Sequence, residues 1–141
     1  MRRRVLVTGL GAVSPNGIGK EAFWEANLRG VSGVDRVEGL DLSGLQTRIA
    51  AQVKAFEPLD FMPESVVKRT DRFAQFGIAA ARLAIEDSGL DMEALDKKRA
   101  GVILGSGLGG VLFHEEQVLQ GMKAGSHRLS PLSVPKVTHN A

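Results

Sequence analysis

Apolar and polar positions along this chain fall into blocks whose period changes. Val5, Leu6 and Val7 are consecutive apolar residues between Arg4 and Thr8. A continuous run of this kind predicts a strand covered on both faces over residues 4–8. The Val-Ile-Leu run within residues 101–104 repeats the pattern, and Ile49, Ala51 and Val53 fall at strand spacing. Between these runs the period becomes helical. Phe23, Asn27 and Leu28 lie near one face of a helix predicted over residues 21–29, with Gly30 as its stop. The clearest helix is predicted over residues 71–87. There Phe73, Phe76, Gly77, Ala80, Ala81 and Ala84 recur at helical spacing, while Ile78, Leu83 and Ile85 widen the band. So wide a band predicts a largely buried helix, ended by Ser88-Gly89. A further helix is predicted from about residue 110 to 122.

The remaining segments are less regular. Residues 31–46 carry three spaced glycines and read as a surface excursion. Ser14-Pro15-Asn16-Gly17 is a turn. Around Pro58 and Pro63, the residues Phe56, Leu59, Phe61 and Met62 are too apolar for a loop in water and require packing. The charged residues 91–99 form a short helix or a surface loop, and residues 126–135 a loop with two prolines. The last six residues read as a helix beginning. The order strand, helix, strand, helix, strand, helix predicts an α/β layered fold with a mainly parallel sheet. No closing strand follows the last loop, so the chain is expected to be part of a larger domain.

Composition narrows the function classes. With 141 residues, the chain suits one compact domain of ordinary size. A net charge of +2 gives no bulk-charge case for binding nucleic acid. The absence of cysteine removes disulfides, thiolate metal sites and a cysteine nucleophile from these residues, and agrees with a cytosolic protein. The basic start, Met1-Arg2-Arg3-Arg4, precedes an apolar run too short for a signal peptide or a membrane span.

The chemistry-bearing candidates are few. Gly105-x-Gly107-x-x-Gly110 follows a predicted strand and opens a predicted helix, as a dinucleotide fingerprint does. That fingerprint needs a carboxylate about twenty residues on, and residues 125–132 contain none. Gly9-x-Gly11 is a weaker version, with Ser14 at its third position. Close strand–helix packing is the simpler reading of both. Lys68 and Arg69, with Arg72 nearby, make a basic cluster, either a solvated helix entrance or a docking patch for an acidic partner. His127-Arg128 is a second basic spot. His114, His127 and His139 lack metal-ligand spacing, and Ser14, Ser106 and Ser130 lie in no nucleophile motif.

Five phrases in register carry a resemblance. They are Arg4-Val-Leu-Val-Thr-Gly-Leu-Gly-Ala-Val-Ser-Pro-Asn-Gly17, Lys68-Arg-Thr-Asp-Arg-Phe73, Glu86-Asp-Ser-Gly-Leu90, Gly105-Ser-Gly-Leu-Gly-Gly110 and Leu129-Ser-Pro-Leu-Ser-Val-Pro135. Together they cover essentially the whole chain. It resembles the amino-terminal part of the β-ketoacyl-acyl-carrier-protein synthases of fatty-acid synthesis, the type II long-chain condensing enzymes in particular. The resemblance implies a thiolase-like layered fold, αβαβα in the full enzyme, with residues 1–141 forming most of its first half. It implies a homodimer in the cytoplasm that needs neither metal nor organic cofactor. The family's nucleophilic cysteine, two histidines and lysine come later than Ala141, so no catalytic residue is expected within this chain.

The resemblance also assigns roles. Leu108, flanked by Gly107 and Gly109, falls where the family keeps a gating residue at the mouth of the acyl pocket. Lys68 and Arg69 match positions that dock the acidic acyl-carrier protein, with Arg128 assisting. Leu132, Ser133 and Val134 lie in a loop near the dimer interface and the partner's acyl pocket. The implied reaction is chain elongation by decarboxylative condensation of an acyl-enzyme with malonyl-carrier protein. Three alternatives stay open: a non-catalytic chain-length partner subunit, a polyketide ketosynthase and, more remotely, a dinucleotide-dependent oxidoreductase.

Overall fold

The computed structural model describes residues 3–125 and 128–138. His127 and His139 lie outside the described residues, as does half of the expected terminal helix. The chain divides into two compact units. One comprises Met1–Glu57 with Ala80–Leu90, the other Pro58–Ala79 with Asp91–Ala141.

In the first unit, strands β1 (Val13–Ser14) and β2 (Gly17–Ile18) form an antiparallel hairpin across the Pro15-Asn16 turn. Ser14 shapes that turn: its hydroxyl donates to the Gly17 carbonyl at 3.0 Å and accepts the Asn16 N–H at 3.2 Å. Helix α1 (Lys20–Leu28) follows, with Glu21 favourably placed in its first turn. It ends in a Schellman motif. Gly30 adopts φ +66°, its N–H bonds the Asn27 carbonyl, and the Val31 N–H bonds the Ala26 carbonyl at 2.9 Å. Strands β3 (Val34–Arg36) and β4 (Ile49–Ala51) then pair antiparallel, with Asp35 opposite Ala50. The predicted surface excursion is therefore partly a strand. Lys54 tightens this hairpin by bridging Asp35 at 2.9 Å and Glu38 at 2.7 Å.

Helix α3 (Arg72–Ser88) is the long helix the periodicity predicts. Its second half belongs to the first unit. There Gly9 and Gly11 lie directly on it. A methyl group on either would collide with the helix backbone, at the Ala84 carbonyl for Gly9 and the Ala80 carbonyl for Gly11. This close approach is the packing role expected of Gly9-x-Gly11. Asp87 locks it, accepting the Leu10 N–H at 2.9 Å and pairing with Lys20.

In the second unit, a short 3-10 turn (Pro58–Asp60) leads to α2 (Glu64–Val67) and the first half of α3. Met62 and Ala79 are buried here, and Phe56 is buried in the first unit, so the apolar loop packs in part, while Leu59 stays exposed. Gln75 is buried too. Its amide donates to the Val67 and Thr70 carbonyls, both at 3.3 Å, and so fixes the corner between α2 and α3. Residues 91–99 form turns rather than a helix, because Asp91 and Asp96 capture the N–H groups of Glu93, Ala94 and Lys98. Helix α4 (Val111–Ala124) and helix α5 (Ser133–Val137) complete the unit. Pro135 is accepted in α5 because a first-turn N–H has no helical partner to lose. The expected helix start at residue 136 is instead a helix end, with Thr138 in extended backbone.

Two expectations are corrected. The described residues hold two antiparallel two-stranded sheets and no parallel sheet. Residues 4–8 and 101–104 join neither, and their apolar side chains face outward, Val5 at 91% and Ile103 at 101% exposure. An apolar run encodes a tendency to be buried, whereas a ladder also requires an adjacent strand. Helix α3 is half-buried rather than largely buried, with only Gln75 and Ala79 enclosed. Its small residues permit close approach, but only part of its apolar band is covered.

The Lys20–Asp87 pair carries a test. The Lys20 hydrogen bond, helped by the Leu10 N–H, lowers the Asp87 carboxyl below its ordinary value. A lowered carboxyl contributes stability above its unfolded value, about pH 3.9, and loses it as pH falls through the folded value. In the intact protein Asp87→Asn should lower the melting temperature by a few degrees at pH 7. That deficit should shrink below about pH 4. A deficit indifferent to acid would reject the clamp.

Candidate functional site

The glycine turn at 105–110 opens α4 in the second unit. The Ser106 hydroxyl accepts the Gly109 N–H at 3.1 Å, closing the turn. Gly109 sits at φ +64°, where a side chain would strain the backbone. Gly110 is buried, and its N–H donates to the Val137 carbonyl at 3.0 Å. A methyl at Gly110 would strike the Lys136 carbonyl and stand 2.7 Å from an Asp71 carboxylate oxygen. Gly107 faces open space, and Leu108 projects from the tip of the turn at 79% exposure.

These bonds bear on phosphate chemistry. A dinucleotide loop offers its backbone N–H groups to the pyrophosphate. Here the Gly109, Gly110 and Val111 N–H groups are committed to Ser106, Val137 and Gly109 oxygens. The turn is spent on internal closure, in agreement with the missing carboxylate. Among the described residues no group of three or more metal-ligating side chains converges.

The Gly110–Val137 bond joins the turn to the loop that carries Leu132, Ser133 and Val134. Lys136 strengthens the junction, its ammonium lying 5.0 Å over the Phe113 ring. Leu132 precedes α5, Ser133 starts it, and Val134 is exposed. The predicted pocket rim and the predicted partner loop are therefore neighbours. Beside them an open cleft of about 400 Å³ is lined by His114, Gln117, Met122, Leu129 and Ser133 among others.

The basic residues are arranged differently. Lys68 caps α2 and pairs with Glu64 at 2.8 Å, one helical turn back. Both partners are well exposed, so the pair is weak and leaves the ammonium available to a stronger anion. Arg69 is exposed beside it, and Arg72 lies 5.0 Å over the Phe76 ring. Arg128 is exposed on a separate turn, its N–H bonded to the Gly125 carbonyl.

Sequence reasoning passed over two features. Gln117 accepts the Ser130 N–H at 2.7 Å and the Ser133 hydroxyl at 3.4 Å. One glutamine among the several polar residues of α4 gives no signal of such a tie. In the first unit, Leu10, Phe23 and Trp24 line an apolar groove of about 420 Å³, with Trp24 at 62% exposure.

Comparisons with known proteins agree with one another. The family described as Beta-ketoacyl synthase, N-terminal domain, matches residues 2–141. The 3-oxoacyl-(acyl-carrier-protein) synthase 2 of Coxiella burnetii is 40% identical over 134 residues, which cover 95% of this chain and 32% of that protein. The chain thus spans about a third of the length of the curated relatives it matches. Among solved structures, the ishigamide ketosynthase/chain length factor superposes with a TM-score of 0.88 at 28% identity, covering 98% of this chain and 34% of that one. A type II polyketide ketosynthase in complex with its acyl-carrier protein superposes at 0.79 and 23% identity, covering 97% and 35%. The last likeness is one of fold alone.

The packing at Gly110 makes a graded prediction. Gly110→Ala should destabilise the intact protein by about 1–3 kcal/mol, the usual cost of overpacking. Gly107→Ala, facing open space, should cost less than about 0.5 kcal/mol. Equal effects in denaturant titrations would contradict the described junction.

Proposed function

The chain belongs to the beta-ketoacyl synthases, matching their N-terminal domain over residues 2–141, and from that premise we propose that it is the amino-terminal part of a condensing acyltransferase of fatty-acid synthesis. The carrying observation is the match along nearly the whole chain, together with an exposed leucine on a closed glycine turn beside an apolar cleft. In this reading the whole protein is a cytoplasmic homodimer with the layered thiolase-like architecture. The outward-facing runs at 4–8 and 101–104 support that reading, as edges prepared for further strands.

The reaction has two stages. A cysteine thiolate in the remainder of the protein attacks the acyl thioester, forming an acyl-cysteine and releasing the carrier thiol. Malonyl-carrier protein then loses carbon dioxide, and its two-electron carbanion attacks the acyl carbonyl. The new carbon–carbon bond expels the cysteine thiolate and lengthens the chain by two carbons. Two histidines beyond this chain stabilise the enolate oxygen. No residue described above is asked to bond covalently. Leu108 supplies apolar contact at the pocket mouth, with Gly107 and Gly109 allowing the turn to yield. Leu132, Ser133 and Val134 wall the partner's pocket. Lys68, Arg69 and Arg128 steer an acidic carrier protein.

A second reading is favoured by the likeness to the ishigamide ketosynthase/chain length factor: a non-catalytic chain-length subunit of a polyketide system. The residue at the nucleophile position of the whole protein separates the two. Purified whole protein given acyl-carrier and malonyl-carrier protein should release carbon dioxide and a 3-oxoacyl product. Release of neither would reject the enzyme reading.

Two substitutions test the assigned roles. Leu108→Phe should shift the preferred acyl chain shorter by two or more carbons without lowering stability, and an unaltered profile would remove Leu108 from the pocket. Lys68→Glu combined with Arg69→Glu should weaken carrier-protein binding about tenfold or more at low salt, with the difference narrowing as salt is raised. Unchanged affinity at low salt would dismiss the docking patch.

A further inference from the structure

The loop that carries Leu132, Ser133 and Val134 is tied to α4 at two places. Near its end, the Val137 carbonyl accepts the Gly110 N–H at 3.0 Å. At its start, the Ser130 N–H donates to the Gln117 side-chain oxygen at 2.7 Å. The first tie is backbone to backbone, and side-chain chemistry does not tune it. The second depends on one amide oxygen.

Gln117 is well placed to hold this tie. It lies in the middle of α4, part-buried, and its NH2 group donates to Gln120 at 3.3 Å, which orients the oxygen toward the loop. The Ser133 hydroxyl lies 3.4 Å from the same oxygen but also donates to the Ser130 carbonyl at 2.6 Å. A hydroxyl has one proton, so the shorter bond takes most of it and the Ser130 N–H is the main tie. Leu129 adds an apolar seat: a methyl at Gly121 would come within 3.2 Å of it. Removing the oxygen would leave a part-buried N–H without its acceptor, and the loop would have to move to hydrate it.

We infer that Gln117 is a positioning residue: its amide oxygen fixes the 130–134 loop on α4 and, through Leu132, Ser133 and Val134, sets the length of acyl chain the enzyme accepts. The tie itself stands on the hydrogen bonds. Its effect on chain length rests on the condensing function proposed above.

The test uses the intact protein with Gln117→Leu, which keeps the side-chain size without an acceptor, and Gln117→Glu, which keeps acceptor oxygens. Hydrogen exchange of peptides spanning Ser130 and the chain-length profile of the products are read together. Gln117→Leu should speed exchange at the loop about tenfold, the factor for losing one ordinary hydrogen bond. It should also change the ratio of longest to shortest accepted chains at least threefold. Gln117→Glu should stay near wild type in both. Should Gln117→Leu not fold, Gln117→Asn, which withdraws the acceptor by one methylene, must show the same two changes. Unchanged exchange overturns the tie. Faster exchange with an unaltered chain-length profile overturns the role in specificity, as does a Gln117→Glu protein that behaves like Gln117→Leu. A wild-type protein that condenses no acyl chain overturns the function and the specificity role with it, while the exchange result still decides the tie.

Discussion

Backbone meeting backbone is the constraint on which both units depend. In each, a glycine lets a chain segment approach more closely than any side chain would permit. Gly9 and Gly11 lie on the backbone of α3, and Gly110 lies against residues 136 and 137. At such distances hydrogen bonds form that could not otherwise be reached, from Leu10 to Asp87 and from Gly110 to Val137. The glycines are thus requirements of packing, and the site is assembled on one of them.

That assembly explains why a nucleotide-like motif is not a nucleotide site. Gly105-x-Gly107-x-x-Gly110 has the right spacing, but a fingerprint works through free N–H groups. Here three of them are satisfied within the protein. The same bonds leave Leu108 as the group the turn presents to its surroundings. An apolar side chain on a closed, uncharged turn suits an aliphatic chain better than a phosphate. The basic residues at 68 and 69 lie at the end of α2, on a different element of the second unit from this apolar turn.

Much of the fold was legible in residue spacing. The three longer helices appear within a few residues of their predicted ends, because helical periodicity and stop signals are local. The turn at Ser14-Pro15-Asn16-Gly17 and the strand at residue 49 are local as well. The strands predicted at 4–8 and 101–104 do not form among the described residues. Their apolar runs are plain in the sequence, yet neither has a neighbour to form a ladder with. Aspartate side chains decided residues 91–99, where capture of nearby N–H groups outweighed weak helical character.

By itself the sequence determined the three longer helices, the glycine turns and the family, since each rests on residues close together or on phrases in fixed order. It determined the identity of the pocket and docking candidates only through that family resemblance. Tertiary structure alone decided what those residues touch. It set Gln117 under Ser130, Asp87 against Leu10 and Lys20, and the 105–110 turn beside the loop at 132–134. The physical reason is range. Periodicity and turn chemistry act over a few residues, whereas these ties join positions from 13 to 77 apart in the chain. Their partners are fixed only once the backbone has brought them together.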